Sequence, residues 1–477
     1  MPIVRAMFPY GLPLVSRARK ALKEHKLLEM FDERIRNRGY GTALQQRLFS
    51  WAMDTVEPEN IKTILSTKFK DYDLGLREPQ VGKAFGRGIF TLSGQGWKHS
   101  RQMLRPQFTR DQVSQLDSVT EHVDKLIKGI DNLQEQNEYV DAQDLFHRLT
   151  LDTATEFLFG QSLEYLEEMI GGQSAKVTHK GVTVTAAEFV ESYTVMLSRT
   201  VNRSILGPFY WMVNDKEFNK HINRAQVMVD YYVQRALDHA AQNEKDDSYI
   251  FSYQLAQVTK DPVAIRDQIF NILIAGRDTT AVTLAMSTFY MARNPDMYAK
   301  LRKSVLEEFG TYDEKRPITF EMLRGTKYLN AVINETLRLA PVVPLNQRTA
   351  IRDTILPTGG GPNRDEPLFV PKGLPVIYST FTLHRCPEIW GPTAGVFDPE
   401  RWMEKVNVPS WAYIPFNGGP RICLGQQFAL TELALTWVRF CQKYSQIIPS
   451  PDLPMEPEFD YLLTIKFAKK VAVRYVV

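Results

Sequence analysis

Ten residues near the C-terminus, Phe416-Asn-Gly-Gly-Pro-Arg-Ile-Cys423-Leu-Gly425, restrict what this chain can fold into more than any other stretch. One cysteine carries an aromatic ring (Phe416), a turn glycine (Gly419), a cation (Arg421) and a second glycine (Gly425) at fixed offsets. Apolar residues at helical spacing follow at once: Leu424, Phe428, Leu433 and Leu435. A sulfur so placed suits haem iron. The free N–H groups and dipole of a helix N-terminus stabilise a thiolate. Glycine lets backbone approach a flat macrocycle, and an arginine two residues upstream reaches a propionate. A structural cysteine beside a turn is the plain alternative; for the whole pattern, haem ligation by Cys423 is the preferred reading.

The other two cysteines, Cys386 and Cys441, are read as inert packing residues. An odd, sparse count gives no disulfide framework and points to a reducing compartment. No paired Cys/His spacing suggests zinc. With 477 residues, 44% hydrophobic and 24% charged, the chain can bury a large core. Neither a low-complexity linker nor an internal repeat divides it, and the motifs run from Trp97 to Gly425, so one catalytic domain over 1–477 is expected. A net charge of +3 is too mild to imply nucleic acid. No run of 18 apolar residues occurs, and the proline-broken N-terminus is not a signal peptide.

The texture is mainly α with a minor β portion. An amphipathic helix is expected over Ser16–Ile35, alternation around Leu48–Val56, and a helix opening at Pro58. Helical patterns dominate from Trp97 to Phe309, a polar connection covers 311–330, and helix resumes to Leu339. Turns and short strands fill Pro341–Trp402, with a hairpin near Gly359–Gly361, and Tyr461–Val477 alternates like strands.

Asp261-Pro262 caps a long helix that runs to Arg293 and stops before Pro295, about 48 Å in all. Its middle reads Ala275-Gly276-Arg277-Asp278-Thr279-Thr280. Gly276 costs about 1 kcal/mol relative to alanine, so a ligand against the helix wall is its expected reason. Thr279 can bond back to the Ala275 carbonyl and loosen the ladder, and Asp278 can pass protons from solvent. Taken alone, a solvated kink explains these residues equally well.

Glu335 and Arg338 lie one turn apart, and Arg401 of Pro399-Glu-Arg-Trp402 offers a second guanidinium. A carboxylate between two arginines makes an architectural lock for the cysteine loop, whereas an isolated pair is an ordinary surface bridge. Trp97 and Arg101 share a helix face over Gly96–Leu104, and with Arg348 and Arg421 they supply donors for an anionic cofactor. His384 is read as a structural hydrogen-bonder.

Ala275–Thr279, Glu335–Arg338, Pro399–Trp402, the cysteine decapeptide and Trp97–Arg101 together resemble the landmarks of cytochrome P450 haem-thiolate monooxygenases, in order and spacing. The resemblance covers essentially the whole chain. It implies the mostly helical P450 fold with haem b between the long helix and the helix after Cys423. Asn271–Thr280, Gly94–Arg101, Leu356–Gly361 and Phe416–Ala429 further resemble the fungal subfamily that hydroxylates n-alkanes and fatty acids. Ala340 and Gln347 depart from common family residues, which leaves chain length and attacked carbon open. Such enzymes carry an N-terminal membrane helix and face the cytosol from the endoplasmic reticulum membrane, so the sequence is expected to begin after its anchor. The aromatic stretch Pro208–Val213 is a candidate to dip into the bilayer, or simply core.

The resemblance implies insertion of oxygen from O2 into a C–H bond, with Asp278 and Thr279 managing protons and the thiolate favouring O–O cleavage. Apolar Phe85, Ile89, Ile269, Leu273, Val342, Val343, Leu345 and Leu463 are candidate pocket walls. Without a flavin or nicotinamide fingerprint, electrons are expected from a separate NADPH–cytochrome P450 reductase, docked on basic Lys98, Arg105 and Arg110. Tailoring of a fungal polyketide or terpenoid is the alternative enzymatic reading. A haem sensor or carrier has no use for Asp278-Thr279, and peroxide isomerases tend to dispense with the threonine.

Overall fold

In a computed structural model of the protein, the described residues are 3–4, 12–36, 41–47, 50–108, 116–242, 249–314, 316–404 and 408–477. Leu48 and Arg110 lie outside them. Helices predominate, and the strands are short and gathered into small sheets. The chain divides into two compact units: unit one is Met1–Gly75, Asn334–Cys423 and Glu456–Lys469, and unit two is the remainder.

Unit one is built on a six-stranded sheet in the order Ile3–Val4, Thr42–Arg47, Ser50–Thr55, Pro375–Ser379, Leu345–Ala350 and Tyr72–Asp73. Gln347 pairs with Ile377, and Val376 with Met53. The expected hairpin forms from Thr354–Gly360 and Glu366–Val370. Its apolar faces and the sheet close over Met53, Ile61, Ile64, Leu65, Val376 and Tyr378, all almost fully buried. The single helix expected over Ser16–Ile35 is two, Leu12–Lys23 and Leu27–Arg36. His25 breaks it with a left-handed backbone (φ 57°) and bonds Asp460 at 2.6 Å. The helix opening at Pro58 lasts five residues and then widens into a π-helical turn, Thr63–Thr67.

Unit two holds the long helix, whose bounds are those the capping residues imply, Pro262–Arg293, with the Asp261 carboxylate accepting from Val263 N–H at 2.9 Å. From Thr280 to Ala292 every residue of it is buried, as a helix packed on all sides must be. Ala142–Phe159 and Gln426–Lys443 pack on it. A β-hairpin, Lys176–His179 with Val182–Thr185, interrupts a stretch expected to be helical. The polar connection 311–330 contains a short helix, Phe320–Gly325, capped by Thr319, and the start of the helix Lys327–Leu339.

The Glu335–Arg338 pair is wholly buried in unit one. Arg338 Nε and Nη2 donate to the two carboxylate oxygens at 2.8 and 2.7 Å, and its nitrogens also tie the carbonyls of His384, Ala394 and Val396. The second guanidinium is a lesser partner than expected. Arg401 Nε stands 3.6 Å from Glu335, and its other nitrogens donate to the Trp390 and Thr393 carbonyls. The remaining lone pairs of Glu335 go to Trp402 Nε1–H and Asp398 N–H, each at 2.9 Å. Breaking such a pair leaves an uncompensated charge in the core. Glu335→Gln is therefore expected to lower the unfolding free energy by about 3–5 kcal/mol, measured by urea denaturation; a loss under about 1 kcal/mol would mean the pair behaves as a surface bridge.

Candidate active site

In unit one the cysteine loop is seated by backbone. Gly419 has φ +66°, and a Cβ there would lie 2.0 Å from the Leu65 carbonyl oxygen on the π-helical turn, so only glycine fits. Asn417 also takes a left-handed φ of 63°, held by Tyr378 Oη–H donating to its side-chain oxygen at 3.1 Å. The Phe416 carbonyl accepts from Cys423 N–H at 3.1 Å, closing the loop on itself. His384 holds the loop's entry: its Nε2 accepts from Ile414 N–H at 2.9 Å. Burial, and then the charge of Arg338, press this imidazole down to about 3, so it stays neutral and keeps that acceptor. The structural reading of His384 stands.

Cys423 is exposed and in no disulfide, and Ile422 beside it exposes 40% of its surface. Cys386 and Cys441 differ in kind. Burial pushes the first thiol up to about 11 and the second further still, which makes both inert. Phe416 and Arg421 are half-buried in the same loop. Arg348, on the strand Leu345–Ala350, is 3% exposed. Its Nη1 donates to the Gln347 carbonyl and to Asn346 Oδ1, while its Nε has no partner. A buried guanidinium with an unused donor is what an anionic cofactor carboxylate would satisfy.

The other predicted residues lie in unit two. Trp97 is buried, and the Arg101 guanidinium lies over its ring, 5.9 Å from the centroid. Thr279 Oγ1–H donates to the Ala275 carbonyl at 2.5 Å, as expected. A Cβ at Gly276 would meet only Ala154 Cβ, at an ordinary 3.6 Å, so packing of the neighbouring helix does not itself require glycine. At Gly425, which caps the helix Gln426–Lys443, a Cβ would meet Phe108 at 3.7 Å. Within unit one, the buried unused donor of Arg348 fits a carboxylate of an iron porphyrin, and the exposed thiol of Cys423 is a ligand type that iron accepts.

Asp278, expected to pass protons from solvent, is enclosed by protein. It is 4% exposed, not solvent-facing. Its oxygens accept from Arg277 Nη1 and Tyr193 Oη–H, both at 2.9 Å. His147 Nε2 stands 3.8 Å away, and burial, then Arg277, holds that imidazole below its usual range. Burial and Asp278 push the Tyr193 phenol well up, so it remains a donor.

Three further residues escaped the sequence reading. Asp267 and Asn271, one turn apart on the long helix, bind the segment 85–90: Asp267 accepts from Arg87 N–H, and Asn271 bonds Phe90 N–H and the Phe85 carbonyl. This places Phe85 against Tyr193 and Phe270 in edge-on contacts. Their signal was polar residues at i, i+4 in an apolar run. Glu432 is the third, four residues after Phe428 and three before Leu435 on the apolar face. Thr153 Oγ1–H donates to it at 2.6 Å, and burial pushes its carboxyl up to about 7, with Thr153, Thr280 and His122 offsetting part. Of the pocket candidates, Val343 is exposed, while Val342 is buried with its carbonyl accepting from Ile465 N–H at 2.9 Å.

The ordinary value for Glu432 is 4.5, so the stability its proton provides is complete below about pH 4.5 and lost as pH rises toward 7. Glu432→Gln is expected to raise the melting temperature at pH 8 and far less at pH 5, with a difference of about 2–3 kcal/mol between the two. Equal shifts at both pH values would count against a buried protonated carboxyl.

A cytochrome P450 sequence profile matches residues 11–470. Cytochrome P450 52-M1 of Starmerella bombicola is 51% identical over 99% of this chain and 90% of its own length. Cytochrome P450 52E1 of Candida apicola is 48% identical (95% and 87% covered), and cytochrome P450 52A12 of Debaryomyces hansenii 43% (93% and 86%). The chain belongs to the cytochrome P450 family: it is a haem monooxygenase that inserts one oxygen atom of O2 into a C–H bond of a hydrophobic substrate, with electrons from a redox partner.

Proposed function

We propose that this P450 hydroxylates fatty acids or n-alkanes, acting as a single catalytic domain over residues 1–477. The observation that carries the substrate class is the run of subfamily motifs, Asn271–Thr280 and Phe416–Ala429, in a chain 51% identical to a fungal relative along nearly its full length. The apolar, buried Phe85, Ile269 and Leu273 suit a hydrocarbon.

Haem, when bound, supplies the oxygen-activating chemistry. Cys423 would supply the sulfur that holds its iron, and Phe416 and Gly425 would shape the approach to the macrocycle. Arg348, Arg421, Arg101 and Trp97 would be the donors to its carboxylates, through guanidinium and indole N–H groups. Gly276 leaves room beside the long helix. The Thr279 hydroxyl, whose oxygen stays free to accept while its hydrogen rests on the Ala275 carbonyl, orients a proton at the reacting oxygen. Asp278 would take up a proton from water once its bonds to Arg277 and Tyr193 open, and pass it on to that position.

Electrons arrive from NADPH–cytochrome P450 reductase, and exposed Lys98 and Arg105 offer it a basic surface. Nucleic acid plays no part. Among the described residues no helix is long and apolar enough to cross a membrane. An endoplasmic reticulum membrane, met from the cytosolic side, is nonetheless the proposed location, because Trp211 and Met212 are 63% and 64% exposed. Buried Arg203 clamps the base of that segment, donating to the Tyr210 and Val213 carbonyls. Replacing Trp211 and Met212 with serine is expected to weaken vesicle binding by at least about 10-fold in flotation, given about 1.5–3 kcal/mol per buried apolar side chain.

The substrate test is product analysis of enzyme reconstituted with reductase and fatty acids or alkanes of graded length. Oxidised lipid is expected, with Cys423→Ala abolishing both product and the red-shifted carbon-monoxide band. Oxidation of terpenoids or polyketides with no lipid product would move the assignment to secondary-metabolite tailoring.

A further inference from the structure

Two polar side chains of the long helix have a task that the oxygenation chemistry above does not require: they mount a turn. Asn271 is fully buried and spans the turn with one amide. Its Nδ2–H donates to the Phe85 carbonyl and its Oδ1 accepts from Phe90 N–H, each at 2.9 Å. One helical turn earlier, the Asp267 carboxylate accepts from Arg87 N–H at 2.7 Å. Asn271 meets main chain as a neighbouring strand would, with a donor and an acceptor side by side. Neither an ionised carboxylate nor an alkyl group offers both.

The turn is also braced within itself. Thr91 Oγ1 accepts from Gly88 N–H at 2.9 Å and donates to the Gly86 carbonyl at 3.0 Å, and the Thr91 and Leu92 N–H groups both reach the Gly88 carbonyl. It lies hard against the long helix. A Cβ at Gly86 would overlap the Asp267 carboxyl group, and one at Gly88 would fall 2.6 Å from the Asn271 amide. Its leading residue, Phe85, ends the helix Arg77–Phe85 and meets Tyr193 and Phe270 edge-on.

Immediately after Asn271 the cover over the long helix thins along one side. Ile272, Ala275, Gly276 and Thr279 are half-buried, while Leu273, Arg277, Asp278 and Thr280 are buried. The four fall at i, i+3, i+4 and i+7, so they form one strip of the helix face, about 10 Å long at 1.5 Å per residue. A strip whose first three members are isoleucine, alanine and glycine suits an apolar guest. The turn is fastened one residue before the strip begins, and Thr279 ends it.

In a chain of near-identical methylene groups, the carbon attacked is the one that stands at the reacting atom, and misplacement by about 1 Å is felt in the rate. We propose that Asn271 is a specificity-determining positioning residue: by fixing the 85–90 turn at the far end of the strip, it sets how far a chain reaches along the helix and so which carbon stands at Thr279. This rests on the reading that the substrate is a lipid chain and that Thr279 marks the reacting end.

Two variants test it in the haem-loaded protein. Asn271→Leu keeps the size of the side chain and removes both bonds to the turn. Gly88→Ala disturbs the same contact from the other side; the φ of Gly88 is not positive, so alanine crowds Asn271 without straining the backbone. Hydrogen exchange of the Phe90 amide is expected to quicken about 2- to 10-fold in each, the effect of one net hydrogen bond. The ratio of products hydroxylated at adjacent carbons of one fatty acid is expected to shift by a similar factor, in the same direction in both variants and no further in the double variant. A merely structural clasp would lower the yield and leave that ratio alone. An unchanged ratio, opposite or additive shifts, or unchanged exchange each overturns the proposal. Should Asn271→Leu not fold, Gly88→Ala alone decides. If no lipid is oxidised, the substrate assignment fails by itself; exchange is read as before, and the ratio is taken over positional isomers from the apolar compound that the protein does hydroxylate.

Discussion

The fold of unit one depends on a carboxylate with no access to water. Glu335 spends its lone pairs on Arg338, Trp402 and the Asp398 amide, and Arg338 spends its hydrogens on three carbonyls that precede the cysteine loop. Each polar group here is costly alone and satisfied only when all the others are in place. The network thus selects one course for residues 384–402, which lead into the loop. His384 extends it, with a backbone carbonyl on Arg338 and a ring nitrogen on Ile414.

A second economy runs along the long helix. A helix buried nearly all round offers no solvated face, so each polar side chain must find its partner in protein. Asp267 and Asn271 find it in the backbone of 85–90, and Asp278 in Arg277 and Tyr193. One element therefore fixes the segment carrying Phe85, holds the acid beside Thr279, and meets the helix that follows the cysteine.

Much of this was legible in the sequence. The bounds of the long helix followed from Asp261-Pro262 and Pro295, because capping chemistry is local. The Thr279 back-bond followed for the same reason. Arg338 was named with its true partner as a buried, bidentate lock, with a surface bridge as the reading for an isolated pair; full burial of both side chains decides for the lock. The second place given to Arg401 is shared with Trp402 and a backbone amide, a geometric outcome that spacing does not contain. The two helices in place of one at His25 reflect tertiary pull from Asp460, and the enclosure of Asp278 by Arg277 and a distant Tyr193 is a tertiary outcome that local sequence does not contain. Glu432 sat on an apolar stripe in plain view; its hydrogen-bond donor, Thr153, lay on another helix.

The seat of Gly419 on the Leu65 carbonyl is made of main chain on both sides. Side chains drift readily over evolutionary time, whereas peptide groups are common to every sequence. A loop docked in this way is insulated from repacking of the sheet beneath it. Substitutions that retune that sheet for a different guest would leave the sulfur's mounting unaltered, so new specificities can be explored without rebuilding the iron's tether.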